Sequence, residues 1–188
     1  MKKITLILIT FFLLHSFQLD AKKSSRNSGS IRMQNEEFIT EIQKLYPYND
    51  IKIIITDLGR FAIASSDSTL HIALSTSDYT SFKGYKGYSN LLIILDQNGN
   101  IETIIFVCSD DTKPYVKNIL KSKILSVLSK QNIENDERPS YLVSGATITS
   151  NVFTESINKT LDSFKQIYNY LEFDDFKCMI SDSLMKTK

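Results

Sequence analysis

Residues 144–150 read Ser144-Gly145-Ala146-Thr147-Ile148-Thr149-Ser150, and a long amphipathic pattern follows them directly. Gly145 permits a tight turn and the close approach of a ligand, because it has no Cβ. Ser150 and Asn151 are good N-cap residues, and the first N–H groups of the helix behind them favour a bound anion. The stretch therefore predicts either a phosphate-binding loop at a helix N-terminus or an ordinary capping loop.

The rest of the chain predicts a mixture of strands and helices. Apolar or β-branched runs predict strands at residues 51–56, 61–65, 69–74, 91–95 and 101–107. Asn98-Gly99 lies between the last two runs and predicts a hairpin turn. Helical spacing of apolar residues predicts one helix from Asn35, one over residues 116–128 and a long one after the motif. We expect an α+β fold, an antiparallel sheet with helices packed on one side.

Residues 144–150 resemble the S-G-A-T-x-T-S signature of the FMN-binding domain family, which includes the C subunit of the sodium-pumping NADH:quinone oxidoreductase and the G subunit of the Rnf complex. A second part of the chain is also similar to this family. It reads G-Y-x-G at residues 84–87, then a strand, a D-x-x-G turn at residues 96–99 and a second strand. The resemblance implies FMN as the cofactor, carried as a phosphoester on Thr147.

The resemblance also implies which residues contact the cofactor. They are Ser144, Gly145, Ala146, Thr147, Thr149, Ser150, Gly84, Tyr85, Gly87 and Thr112. Thr112 belongs to a segment similar to the family's D/E-T-P, although Lys113 is inserted here before Pro114. Asp110 and Asp111 in the same segment also fit a simple role as caps of the next helix. Lys113 and Lys117 lie on a basic helix face that is either solvated or close to a phosphate.

One position departs from the family pattern. The family usually has Asp three residues before the motif serine, and the flavin transferase that attaches FMN reads it; Tyr141 stands there in this chain. Three interpretations therefore remain open. The chain is an electron-transfer domain with FMN on Thr147, a module that binds flavin without a covalent link, or a secreted interaction domain that has lost flavin. The implied partners are a flavin transferase and a membrane redox complex or another electron-transfer protein.

Composition and charge exclude several classes of protein. The hydrophobic fraction of 42% is adequate for a packed core, and a formal charge of +1 argues against a dedicated nucleic-acid binder. The sequence has no catalytic triad, paired acids or metal-ligand cluster that would indicate a hydrolase or a metal site. An electron carrier is therefore favoured over a stand-alone enzyme.

The N-terminus indicates export. Lys2 and Lys3 precede an apolar run over residues 4–14, which is short for a transmembrane helix. We expect residues 1–21 to be a signal peptide or an anchor based on residues 4–17. A flexible leader over residues 22–34, a domain over residues 35–171 and a tail over residues 172–188 follow. The predicted location is the periplasm or the outer face of the cytoplasmic membrane.

Cysteines and histidines are few. Cys108 and Cys178 either form one disulfide or remain free or buried thiols, and we favour the thiols. His71 lies in a predicted strand, so a packing role is favoured over a role as a ligand.

Overall fold

A computed structural model of the chain describes residues 31–48, 50–66 and 69–171. Five strands lie in this part of the chain: β1 (Asp50–Thr56), β2 (Gly59–Ser65), β3 (Leu70–Ser75), β4 (Ser89–Asp96) and β5 (Ile101–Ser109). Five helices lie there too: α1 (Asn35–Gln43), α2 (Thr76–Tyr79), α3 (Lys113–Lys121), α4 (Ile124–Leu128) and α5 (Thr147–Tyr168). The strands form one antiparallel sheet in the order β1-β2-β3-β4-β5.

The β4–β5 hairpin turns where the Asn-Gly pair predicts it. Gly99 has a φ of 77°, a conformation that residues with a Cβ rarely adopt. The Asp96 carboxylate accepts hydrogen bonds from the N–H groups of Asn98 (2.8 Å) and Asn100 (2.9 Å). The Tyr168 hydroxyl donates to the Gln97 carbonyl at 3.1 Å, so the C-terminal end of α5 lies beside this turn.

The predicted α+β fold is confirmed. One face of the sheet packs against α3, α4 and α5 in the larger hydrophobic core, through buried side chains such as Phe61, Ile93 and Phe153. The opposite face packs against α1 through Phe38 and Ile42. The sequence predicts helices on one side of the sheet, and the structure has α1 on the other side as well. The composition of the central strands explains this second layer. Nearly every residue of β2, β3 and β4 is buried, so both of their faces need a covering layer.

The predicted helix over residues 116–128 is wrong as a single helix, because the chain breaks at Ser122. This residue is extended, with φ −78° and ψ 170°. Its hydroxyl donates to the Ile119 carbonyl at 2.6 Å and accepts from the Ile124 N–H at 3.3 Å. A serine side chain that bonds to nearby backbone in this way competes with continued helix.

α2 is a short helix that the sequence patterns do not predict. Asn90, which is fully buried, holds its first turn: the Asn90 Oδ1 accepts from Ser75 Oγ (2.9 Å), Thr76 Oγ1 (3.3 Å) and the Ser77 N–H (3.2 Å). In return, Thr76 Oγ1 accepts from the Leu91 N–H at 2.9 Å. α2 packs against α5 and so links β3 to the helix that carries the motif.

The predicted export segment and C-terminal tail lie outside the described residues and stay predictions. At the end of the predicted leader, Met33 is buried and Arg32 forms an ion pair with Asp78, so this end packs against the domain. Among the residues described, no helix is both long enough and apolar enough to cross a membrane.

Candidate functional site

The buried carboxylate of Asp111 joins the three segments that the sequence singles out. Its Oδ1 accepts from the N–H groups of Lys86 (2.7 Å), Gly87 (3.3 Å) and Thr112 (2.7 Å). Its Oδ2 accepts from the Tyr85 N–H (3.1 Å) and from the Thr149 hydroxyl (2.7 Å). The glycine-tyrosine loop, the segment before α3 and the first turn of α5 therefore meet at one side chain that is 4% exposed.

Glycines are required where the loop over residues 84–87 touches this carboxylate. A Cβ at Gly84 would lie 2.9 Å from Asp111 Cγ and closer still to Oδ2, and a Cβ at Gly87 would clash with Asp110. The Gly84 N–H donates to the Gly87 carbonyl at 2.7 Å and closes the loop. Asp110 accepts from the Tyr88 N–H, so the two neighbouring acids hold opposite ends of the loop.

Hydrogen bonding determines the ionisation of Asp111. Burial by itself raises the pKa of this carboxyl group, but hydrogen bonds from Thr149 and from the Lys86, Thr112 and Gly87 N–H groups lower it further than burial raises it. The net effect is a pKa below the ordinary value of an aspartate. Asp111 is therefore a carboxylate at neutral pH and accepts all five hydrogen bonds in its charged form.

The motif loop turns at Gly145 and enters α5 earlier than predicted. Gly145 has a φ of 76°, and a Cβ added to it would have no heavy atom within 4 Å. The predicted N-caps at Ser150 and Asn151 are wrong, since Thr147 is the first helical residue and Ala146 the N-cap, without a side-chain cap. The Ser150 hydroxyl instead donates to the Thr147 carbonyl (3.0 Å) and accepts from the Val143 N–H (2.9 Å), which closes the loop from inside the helix.

The N-terminus of α5 has N–H groups without helical partners beside the exposed residue Thr147. The first intrahelical bond joins the Ser150 N–H to the Ala146 carbonyl at 2.8 Å. The N–H groups of residues 147–149 precede it and have no partner within the helix. Thr147 and Ile148 are exposed, whereas Ala146, Thr149 and Ser150 are buried. An anion at this end would meet these N–H groups and the positive end of the helix dipole.

The predicted cofactor residues fall into two groups. Gly84, Tyr85, Gly87, Thr112 and Thr149 lie around Asp111. The hydroxyls of Thr149 and Ser150 are already bonded within the protein, while Ser144 and Gly145 on the loop and Thr147 at the start of α5 are exposed. The Thr112 hydroxyl is buried and, within the described part of the chain, has no hydrogen-bond partner.

Asp111 is the residue of the candidate site that the sequence patterns do not single out for this position. Asp110 and Asp111 are predicted as helix caps, but Thr112 is the N-cap of α3 and both acids bind the loop over residues 84–88 instead. The signal that could have found Asp111 is the Asp-Thr pair that this chain shares with the D/E-T-P segment. Tyr141, at the divergent position, is 37% exposed, and its carbonyl accepts from Thr154 Oγ1 at 3.1 Å.

The remaining candidates are occupied or unreactive. His71 Nδ1 lies 2.8 Å from the Tyr48 hydroxyl and His71 Nε2 lies 2.9 Å from Glu102, so both ring nitrogens have partners. Among the described residues Cys108 has no disulfide partner, and burial, with Glu37 and Asp110 nearby, raises the pKa of its thiol to about 11. Such a thiol is protonated and poorly nucleophilic at neutral pH. Cys178 lies outside the described residues, so its pairing with Cys108 is untested.

The part of the chain that forms the candidate site also matches a known protein family. Residues 84–162 match the family model described as the FMN-binding domain. The match begins at Gly84 and includes β4, β5, α3, α4 and the motif with most of α5. No curated protein matches the chain.

Proposed function

Because residues 84–162 match the model of the FMN-binding domain family, we propose that this chain is an FMN-carrying electron-transfer domain that works outside the cytoplasm. The family match supports flavin binding. The covalent link at Thr147, the electron transfer and the location are the proposal. The observation that carries it is the position of Thr147, an exposed hydroxyl at the N-terminus of a 22-residue helix.

The residues present fit a flavin phosphate at this position. The space around Gly145 is open, and the free N–H groups at the start of α5 are suited to phosphate oxygens. The orphaned Thr112 hydroxyl is a further polar group available to a ligand. Tyr85 adds an aromatic surface: its ring is 52% exposed and contacts the Tyr115 ring edge-on, with the ring centroids 5.4 Å apart.

Attachment would use the Thr147 hydroxyl as the nucleophile. Its Oγ1 forms a bond to the FMN-side phosphorus of FAD, the pyrophosphate P–O–P bond breaks, AMP leaves, and the hydroxyl proton goes to a base on a flavin transferase. The chain is then the substrate of that transferase. Thr149 is a poor alternative acceptor, because its hydroxyl is buried and donates to Asp111.

Once attached, FMN would supply the electron-transfer chemistry through its isoalloxazine ring. This chain's residues would fix where that ring lies. Asp111 holds the loop over residues 84–88 against the start of α5, and Gly145 leaves room for the attachment arm. The proposed partner is a membrane redox complex, which residues 1–21 would bring within reach if the predicted segment is an anchor rather than a cleaved signal peptide.

The test is the mass of the denatured full chain after co-expression with a flavin transferase in an exporting host. We expect an increase equal to one FMN less one water, with in-gel flavin fluorescence. The adduct should be absent from Thr147→Val and present in Thr147→Ser, with unchanged circular dichroism in both. An adduct that persists in Thr147→Val would refute attachment at this residue. Flavin that is released on denaturation of the wild type would support the non-covalent module, which Tyr141 favours.

Tyr141→Asp is expected to increase the initial rate of FMN attachment about fivefold, as one restored charged contact worth about 1 kcal/mol would. The substitution should leave the fold intact, because the described bond at this position uses the backbone carbonyl of residue 141. Tyr141→Asn is the matched control, since it removes the ring without adding charge. Equal rates for the two variants would show that the transferase does not read an acid here.

A further inference from the structure

A groove runs between the edge strand β5 and helix α3, and we call it the α3–β5 groove. Its volume is about 590 Å³. Phe106, Cys108 and Ser109 form its β5 side. Its α3 side presents Lys113, Lys117 and Lys121, with apolar contact surface from Val116 and Leu120 between them. No residue of the motif over residues 144–150 lines it.

The α3 side of the groove is basic. Lys113, Lys117 and Lys121 are all exposed, and within the described ranges none of the three forms an ion pair. Of the described residues that line the groove, Asp111 is the one acid. Its carboxylate already accepts five hydrogen bonds from the loop, Thr112 and Thr149, so it is not available to the lysines.

The β5 side of the groove is a strand edge. β5 is the last strand of the sheet described, and its start is covered where the Ile101 N–H donates to the Gln131 carbonyl at 3.0 Å. Apart from β4, no strand in the described part of the chain pairs with residues 106–109. An open edge of this kind can accept an added strand through main-chain hydrogen bonds.

The spacing of the lysines matches an extended chain. Lysines four residues apart on a helix are separated by about 6 Å along its axis. Side chains on the same face of a strand are separated by about 6.6–6.8 Å, since they are two residues apart. Three alternate side chains of a strand therefore span about the same length as Lys113 to Lys121. An extended chain beside β5 would place every second side chain opposite a lysine.

We propose that the α3–β5 groove binds an extended acidic segment of a partner protein, paired with β5 and with acidic side chains at alternate positions facing Lys113, Lys117 and Lys121. The side chains between those acids would point to the opposite face of the enlarged sheet, away from the lysines. The proposal does not depend on flavin, because the lining residues include none of those at the attachment loop. Either of the two proposals can therefore fail while the other stands.

The test uses the full chain and a fluorescein-labelled peptide, Val-Glu-Val-Glu-Val-Glu-Val, in an anisotropy titration. Changing all three groove lysines to Gln should weaken binding about tenfold, the combined effect of three exposed ion pairs. A matched control changes Lys123, Lys130 and Lys159 to Gln, which alters the net charge equally at exposed sites outside the groove. The control should bind as the wild type does.

Two further measurements separate groove binding from general charge attraction. The peptide Val-Val-Glu-Glu-Glu-Val-Val has the same composition but clusters its acids, and it should bind clearly more weakly. Hydrogen exchange should slow at the amides of residues 106–109 when the alternating peptide binds. Equal loss of binding in both triple variants would overturn the proposal. So would equal binding of the two peptides, or an oligonucleotide that binds as well as the alternating peptide. Slower exchange confined to other strands would overturn it too.

Discussion

Asp111→Asn is expected to lower the free energy of unfolding by about 3 kcal/mol. The side chains have nearly the same size, but an amide accepts at one position where the carboxylate accepts at two. Its NH2 group would face the Tyr85 N–H and the Thr149 hydroxyl, or else the Lys86, Gly87 and Thr112 N–H groups. Buried donors left unsatisfied cost about 1–3 kcal/mol each, and bonds to a charged acceptor contribute more than neutral ones. Urea unfolding measures the difference.

The neighbouring acid provides the matched control. Asp110 is exposed and its side chain accepts from one N–H group, that of Tyr88, so Asp110→Asn should cost less than about 1 kcal/mol. Equal losses for the two variants would show that Asp111 has no special role. If Asp111→Asn loses much stability but attaches flavin normally, the Asp111 carboxylate stabilises the fold without positioning the loop over residues 84–88.

The stability difference between wild type and Asp111→Asn should also depend on pH in one direction. The folded pKa of Asp111 lies below its ordinary value, while the unfolded value is about 3.9. The carboxylate's contribution is therefore fully present above about pH 4 and is lost as the pH falls through the folded pKa. We expect the difference measured at pH 6 to shrink markedly toward pH 2. The lowered pKa of Asp96 affects both proteins equally and cancels in this comparison.

Local patterns predict the sheet well because its strands are bounded by local signals. The β4–β5 hairpin follows from two apolar runs and the Asn-Gly turn between them, and the structure places the turn there. The Ser122 break in the predicted second helix is harder to foresee. Serine is tolerated in many helices, and this one ends the helix through bonds to Ile119 and Ile124 that form only with a particular backbone geometry.

The candidate site is less predictable because its organising contact is long-range. Asp111 and Thr149 are 38 residues apart, and Asp111 and Tyr85 are 26 apart. No local pattern shows that one carboxylate will serve both, so the simpler role of helix cap is favoured from sequence. The predicted start of α5 is wrong for a related reason. Ser150 has the chemistry of an N-cap, but its hydroxyl bonds to Val143 and Thr147 from within the first turn.

The part of the fold outside the family match is held to the rest by a buried ion pair. Arg60 on β2 donates to Asp78 Oδ2 from Nε (3.0 Å) and lies 2.9 Å from it through Nη2. The same guanidinium donates to Asn35 Oδ1 (2.5 Å) and to the Met33 carbonyl (2.9 Å), and it stacks over the Phe38 ring at 4.8 Å. Asp78 lies in α2, which packs against α5. Arg60 therefore links α1 and β2 to the helix that begins at Thr147.

Arg60→Met is expected to lower the free energy of unfolding by about 3–5 kcal/mol, because it leaves the fully buried Asp78 carboxylate with one of its two arginines. Arg32→Met is the matched control: Arg32 contacts Oδ1 of the same carboxylate at 2.5 Å, but its side chain is 56% exposed. Its loss should cost clearly less than that of Arg60, since water can replace the half-exposed Arg32 side chain while the buried Arg60 stays paired with Asp78. Urea unfolding of the two variants checks both values, and equal losses would mean that burial does not distinguish the two pairs. If Arg60 also orders α5 through α2, Arg60→Met should speed hydrogen exchange at the first turns of α5, whereas Arg32→Met should not.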